Sequence, residues 1–154
     1  MYLDENGDVI NNASLIGSPA NGVPGTVAGL WEAHKRYGKL PWKDVVKPAI
    51  NLAENGFIPA DVLVEDVRKM YDWFGEGTNF KAYFGSINND ELFKQPELAE
   101  TLRRIAEFGA EDFYRGETSR LIVEQMARSD GLISAEDLDK ELEHLRRFRY
   151  EYLY

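Results

Sequence analysis

The chain has 154 residues, 44% of them hydrophobic and 12% aromatic, which suits one folded unit and excludes global disorder. Its 18 Lys and Arg against 27 Asp and Glu leave a formal charge of -9, a field that repels phosphate backbones and anionic lipid, so neither a nucleic acid nor a membrane is an expected partner. The lack of cysteine excludes thiol catalysis, disulfides and thiolate metal sites, and leaves the compartment open.

Tyr2-Leu3 and Val9-Ile10 flank Asp4-Glu5-Asn6-Gly7-Asp8, and Asn-Gly readily takes the positive dihedrals of a tight turn, so a short strand, turn and strand are predicted. Asp4, Asn6 and Asp8 alternate like the opening of a calcium loop, but Val9 stands where that loop needs glycine and Leu15 where it needs glutamate, which favours the turn. The charge-free run from Val9 to Trp31 is broken by Pro19, Pro24 and four glycines and is no membrane span. The first residues show no basic stretch leading into an apolar one, so no targeting signal is expected there.

A glycine turn, Gly22-Val23-Pro24-Gly25, leads into a helix with Val27, Leu30, Trp31 and His34 on one face and Gly38 as its stop. Pro41 to Asn55 carries Val45, Val46, Ala49, Ile50 and Ala53 on one side and ends at Gly56; Pro48, inside it, is expected to kink or split the helix. Leu63, Val67, Met70, Tyr71 and Phe74 mark a third helix. Gly75 to Asn89 reads as an irregular loop pinned by Phe80, Tyr83 and Phe84. Pro96 opens a helix with Leu98, Leu102, Ile105 and Ala106 on one face and Gly109 as its stop, and Ala110 to Arg115 adds one short turn. Thr118, Leu121, Ile122, Gln125 and Met126 mark the next helix, ended by Gly131, and Ser134 to Asp137 is a capping-box start for the last. Phe148, Tyr150, Tyr152 and Tyr154 then alternate with Arg147, Arg149, Glu151 and Leu153, the period of a strand. The expected fold is mainly α, about six helices with short β pieces at both ends, and residues 1–154 form one helical region. Acids concentrate in its second part: 6 in residues 1–60 and 21 in residues 61–154.

The residues supply little self-contained chemistry. His34 lies on an apolar helix face and is better read as a packed histidine with one hydrogen bond than as a general base. Glu141-x-x-His144 is one half of a di-iron carboxylate motif whose second copy is missing, and a solvated helix face explains it better. No Gly-x-Ser-x-Gly elbow occurs. Adjacent carboxylates such as Glu111 with Asp112 and Asp137 with Asp139 are what chance gives a chain with 27 acids. Trp73, Phe74, Phe80, Tyr83 and Phe84 could form a ligand platform, though core packing is the better reading. The Gly22 to Gly29 turn could present amides to an anion but lacks the lysine of a phosphate loop.

Four stretches together resemble the large chain of the γ-glutamyltransferase (γ-glutamyltranspeptidase) family: Tyr2-Leu3-Asp4 to Ile10; Ala20-Asn21-Gly22-Val23-Pro24-Gly25-Thr26-Val27-Ala28-Gly29-Leu30; Leu40-Pro41-Trp42 through Pro48-Ala49-Ile50 to Ala53-Glu54-Asn55-Gly56-Phe57; and Gln95-Pro96-Glu97-Leu98-Ala99 to Phe113-Tyr114-Arg115-Gly116. Gly131-Leu132-Ile133-Ser134 with Asp137-Leu138 continues in the same order, so the resemblance covers nearly the whole chain.

It implies the helical part of the large chain of an αββα N-terminal-nucleophile enzyme, made as one precursor that cuts itself in two. A threonine leading the small chain attacks the γ-glutamyl amide of glutathione or related compounds, with its own amine as base, and the acyl group passes to water or to an amino acid or peptide. That threonine is not among these residues: the Thr-Thr-His processing motif is absent, Met1 leads the chain, and Thr26, Thr78, Thr101 and Thr118 occupy helix starts, loops or helix interiors. The family's carboxylate-gripping arginine sits in an Asp-aromatic-Arg-Glu motif expected before Met1. Asp112-Phe113-Tyr114-Arg115-Gly116 has two aromatics and a glycine in place of the glutamate, so the role does not carry over to Arg115. The departure at Lys140 to Leu145 falls where a short tyrosine-bearing link is expected.

The resulting expectation is a structural, non-catalytic portion of such an enzyme, with no catalytic, substrate-binding or metal-binding residue and no cofactor. Its partner is the rest of the precursor, including the small chain, or else a homo-oligomer of the isolated piece. The family resemblance implies a periplasmic or extracellular location. Two other readings are a helical interaction module using the Trp73 to Phe84 aromatics and a stand-alone carboxylate-dependent hydrolase.

Overall fold

The computed structural model describes residues 2–74 and 78–151, with side chains as far as His144. Among them lie a 3-10 turn at Ser18–Ala20 and eight helices: α1 Thr26–Tyr37, α2 Trp42–Asn55, α3 Asp61–Phe74, α4 Phe80–Phe84, α5 Pro96–Phe108, α6 Ala110–Arg115, α7 Glu117–Arg128 and α8 Ala135–Glu151. The architecture is mainly helical, as the periodicity predicts. Helix α4 falls inside the stretch read as a loop, because Phe80 and Phe84, one turn apart, both face the same aromatic cluster.

The β pieces expected at the two ends are not strands. Near the start, antiparallel pairing is a single bridge between Leu3 and Val9. The turn between them forms as predicted, with Gly7 at φ 85° and the Asp4 carboxylate accepting the Asn6 and Asp8 amides, both at 2.9 Å. Those amide bonds hold the Asp4 carboxyl below its ordinary pKa and occupy the oxygen that a calcium loop would offer. At the other end α8 continues through Glu151, so Phe148 to Glu151 are helical, while Tyr152, Leu153 and Tyr154 lie outside the described residues. Extending an existing helix adds a backbone bond per residue, whereas a lone strand leaves its amides unpaired. The capping box is as predicted: Ser134 Oγ accepts the Asp137 amide at 3.2 Å, and Asp137 Oδ2 accepts the Ser134 amide at 2.9 Å.

Helices α2 and α5 run antiparallel. The start of α2 meets the end of α5, where Trp42 Nε1 donates to the Ile105 carbonyl at 2.8 Å, and its end meets the start of α5, where the Gln95 amide donates to the Ala53 carbonyl at 2.8 Å. A bridge between Phe57 and Phe93 extends the pair. Pro48 does not split α2, which runs unbroken over its 14 residues. Pro48 and Asp44 are both exposed, so water replaces the donor that the Asp44 carbonyl loses.

Two apolar clusters result. In the first, Ala28, Ala110, Tyr114, Met126, Ile133, Leu138 and Leu142 join α1, α6, α7 and α8. In the second, Val64, Val67, Ile87 and Phe93 pack with Phe57, Tyr71, Phe80 and Phe84. Several residues read from periodicity as facing a core are instead exposed, among them Leu30, Val45, Met70 and Leu98. Ala28, Val64 and Ala99 take the buried positions on their helices, one or more residues around from the expected face. Gly109 links α5 to α6 at φ 64°, and a Cβ there would lie 2.6 Å from Trp31 Cε2, so both its dihedral and its neighbour demand glycine.

Among the described residues Tyr114 is the largest side chain that is fully buried. Its hydroxyl donates to the Pro24 carbonyl at 2.5 Å and accepts the Ala28 amide at 3.3 Å. Gly25 has no side chain to cap α1, so Tyr114 fills that place from a helix distant in sequence. Burial pushes its phenol above the ordinary value of 10.0, the Ala28 amide opposes that rise, and the Glu141 charge adds to it. A raised folded-state pKa means a stabilising contribution that is complete below the unfolded value and lost as pH climbs toward the folded one. The chain is therefore expected to weaken above about pH 10, and Tyr114→Phe to flatten that alkaline loss in urea-denaturation midpoints measured across pH. An alkaline slope unchanged by the substitution would refute the assignment.

Candidate functional site

A cleft of about 510 Å³ opens where the segment Leu15 to Asn21 passes α4 and the end of α7. One wall is aromatic. Phe74, Phe80 and Phe84 lie in sequence, with ring centroids 4.8 and 4.9 Å apart, and Tyr71 donates from its hydroxyl to the Phe84 carbonyl at 2.7 Å to fix α4 against α3. The opposite wall is polar and uncharged. Ser18 Oγ and Ser129 Oγ are 2.6 Å apart, Ser129 Oγ is 2.6 Å from the Gln125 carbonyl, and Gln125 Nε2 donates to Ser129 Oγ at 3.3 Å. Asn21, Thr78 and Asn79 complete the polar lining.

Among the described residues, no aspartate, glutamate, histidine, lysine or arginine lines this cleft. None of these lining residues is a base that could take a proton from its hydroxyls, and an unactivated serine is a weak nucleophile. The described lining can receive a neutral group by stacking and hydrogen bonding. Sequence reading found the aromatic wall and missed the polar one: Ser18 and Ser129 are 111 residues apart, and no spacing signal links them.

The aromatic set divides. Phe74, Phe80 and Phe84 stack on one another, Tyr83 lines the cleft while half exposed, and Trp73 faces outward from α3, 59% exposed. His34 packs as expected between Trp31 and Trp42, with ring centroids 6.4 and 5.0 Å away, and its Nε2 donates to the Leu40 carbonyl at 3.0 Å. The Gly22 to Gly29 turn meets the protein's own groups: Tyr114 takes the Ala28 amide, and Glu141 Oε1 approaches to 2.7 Å from the place a Gly25 Cβ would occupy.

Neither carboxylate pair converges. Asp112 turns inward, accepting from Thr118 Oγ1 at 2.5 Å, from the Glu117 amide at 3.1 Å and from Arg104 Nε at 3.3 Å, whereas Glu111 turns to Arg115. Asp137 caps α8, and Asp139 binds Arg115. Arg115 holds three carboxylates at once: Asp139 at 2.5 Å, Glu143 at 2.7 Å and Glu111 at 3.5 Å. These bonds raise its pKa, Asp139 first and Glu143 next, and tie α6 to α8. Among the described residues no group of three His, Asp or Glu side chains is arranged to hold a metal ion, and no helix is long and apolar enough to cross a membrane.

Comparison with known proteins points one way. The family profile described as Gamma-glutamyltranspeptidase matches residues 1–147. The glutathione hydrolase proenzyme of Pseudomonas aeruginosa is 51% identical over 138 residues, which is 90% of this chain and 25% of that protein. The proenzyme of the same description from Escherichia coli K12 is 38% identical over 144 residues, again 90% of this chain and 25% of that protein. Among solved structures, the gamma-glutamyltranspeptidase of Pseudomonas nitroreducens complexed with L-DON superposes with a TM-score of 0.87 at 52% identity, over 90% of this chain and 42% of that one. The Helicobacter pylori gamma-glutamyltranspeptidase gives a TM-score of 0.85 at 37% identity, over 92% of this chain and 42% of that one. The chain thus spans about a quarter of the length of the curated relatives it matches.

Proposed function

The chain belongs to the gamma-glutamyltranspeptidase family, and we propose that within it residues 1–154 serve as one helical scaffold region of the large chain, structural and without an active site of their own. The observation that carries this reading is the cleft, in which, among the described residues, hydroxyls and amides meet with no acidic or basic side chain beside them. The remaining candidates are engaged within the fold. Arg115 is neutralised by three carboxylates, Thr118 is buried against Asp112, and Thr101 Oγ1 donates to the Glu97 carbonyl of its own helix.

In this reading bond-breaking belongs to the rest of the precursor. A threonine heading the small chain attacks a γ-glutamyl amide, of glutathione or a related compound, and water or an amine accepts the acyl group. Incubated with a γ-glutamyl anilide, the purified chain is expected to release aniline at the rate of buffer alone. Release clearly above that rate, abolished by a single substitution such as Ser129→Ala, would overturn the reading.

One observation favours a second reading, a helical interaction module: Trp73 stands out from α3 although its neighbour Phe74 is packed. A pull-down separates the two, since only the scaffold requires the small chain and not an unrelated acidic peptide as partner. A carboxylate-dependent hydrolase needs an acid with a raised pKa, and the carboxyls of Asp4, Glu117 and Asp137 are all shifted downward, each chiefly by hydrogen bonds it accepts.

A further inference from the structure

Helix α2 is apolar along two faces. Trp42, Val46, Ile50 and Ala53 form the first, buried or half-buried on the side that meets α5. Pro41, Val45, Pro48, Ala49 and Leu52 form the second, at the same alternation of three and four residues, and every one of them is exposed. Val45 is 47% and Leu52 54% exposed, and Leu40 just ahead of them is 64% exposed.

The second stripe contains no charge, in a chain whose residues are 29% charged. At about 3.6 residues per turn, Lys43, Lys47 and Glu54 fall on the far side of the helix from it, and Asp44 stands near its edge. The helix therefore has a charged wet face of its own, and the exposed apolar stripe is a further face beside the one that meets α5, as a second contact requires.

We propose that the Pro41, Val45, Pro48, Ala49 and Leu52 stripe is an interface, and that its occupant is the remainder of the same large chain. The proposal rests on the scaffold reading above. Two observations favour that occupant over a second copy of this chain. The matched solved chain of P. nitroreducens is covered to only 42%, so more than half of it has no counterpart here, while the family profile runs through α2 without a break in its bounds. Two copies would each bring a charge of -9 to the contact and repel one another.

The lack of native cysteine allows a direct test. Val45→Cys and Leu52→Cys are made separately, so that a folding failure in one leaves the other readable. Each is placed in the free chain and in a chimera in which this chain replaces the matched quarter of the P. aeruginosa proenzyme, with any host cysteine changed to serine. Maleimide labelling is followed in both, and urea-denatured samples set the full rate. The expected result is rapid labelling in the free chain and protection of about tenfold or more in the chimera. Equal rates in a soluble chimera would overturn the interface and leave the scaffold reading standing. An insoluble chimera carrying the unsubstituted segment would overturn the scaffold reading, and the interface with it. Protection already present in the free chain, accompanied by a dimer in sedimentation, would assign the stripe to a second copy and overturn the proposal.

Discussion

Asp112→Ala is expected to destabilise the chain by about 3 kcal/mol or more, a large share of the 5–15 kcal/mol typical of a folded domain. The carboxylate is nearly buried, and it satisfies Thr118 Oγ1, the first amide of α7 at Glu117 and the Arg104 guanidinium together. Alanine removes the acceptor of all three donors. It leaves Arg104, whose side chain is only 23% exposed, without its carboxylate, and a helix start without its cap. Asp112→Asn keeps the shape and one acceptor oxygen but turns the other acceptor into a donor, so it should recover only part of the loss. Arg115→Ala makes the instructive contrast, because Arg115 has three ion pairs to Asp112's one. Its partners are 42–49% exposed, and solvent screening limits such pairs to about 1 kcal/mol or less. Urea-denaturation midpoints of the three variants check the order. If Arg115→Ala costs more than Asp112→Ala, the argument from burial is wrong.

The helix boundaries were legible because their signals are local. Gly38, Gly56 and Gly109 end α1, α2 and α5 where glycine stops were read, and Ser134 with Asp137 opens α8 through the predicted reciprocal bonds. Which face of each helix is buried was less legible. Periodicity marks apolar residues but does not say which of two apolar faces has a neighbour, and α2 has both: Val46 and Ile50 turn toward α5, while Val45 and Leu52 turn to solvent. The terminal alternation from Phe148 failed as a strand signal for a related reason. A period of two describes side chains, whereas the backbone there continues a helix already begun.

Around the candidate site, what was legible was the local packing of single residues. The packed role of His34 could be read from its place among apolar residues, and the calcium-like Asp4 turn from its missing ligands. The Ser18, Gln125 and Ser129 wall could not, since it depends on the start of the chain crossing the end of α7. Tyr114 belongs to a family-like segment of the sequence, yet its capping of α1 from 86 residues away is visible only in three dimensions.

Leu138→Ala tests where the structural weight of the fold lies. Leu138 is fully buried on α8 in the first apolar cluster, beside residues contributed by α1, α6 and α7. Truncating it removes transfer energy and leaves a cavity, together about 2–5 kcal/mol. The upper half of that range is expected. Its neighbours Ala28 and Ala110 are short, and their helices are held apart by the Tyr114 hydroxyl bridge and by Gly109 seated on Trp31, so they have little freedom to close the gap. Leu138→Met, which nearly conserves volume, should cost under about 1.5 kcal/mol. Leu52→Ala, on the exposed stripe of α2, should stay within about 0.5 kcal/mol in the free chain, since Leu52 is already 54% exposed to water. Far-UV dichroism and tryptophan fluorescence are expected to shift together in Leu138→Ala. Trp31 packs on the first cluster and Trp42 hydrogen-bonds α5, so the first cluster and the α2–α5 pair report through one aromatic junction with centroids 5.2 Å apart. A melt that splits into two steps would show that these two parts unfold independently and that α8 stabilises only its own.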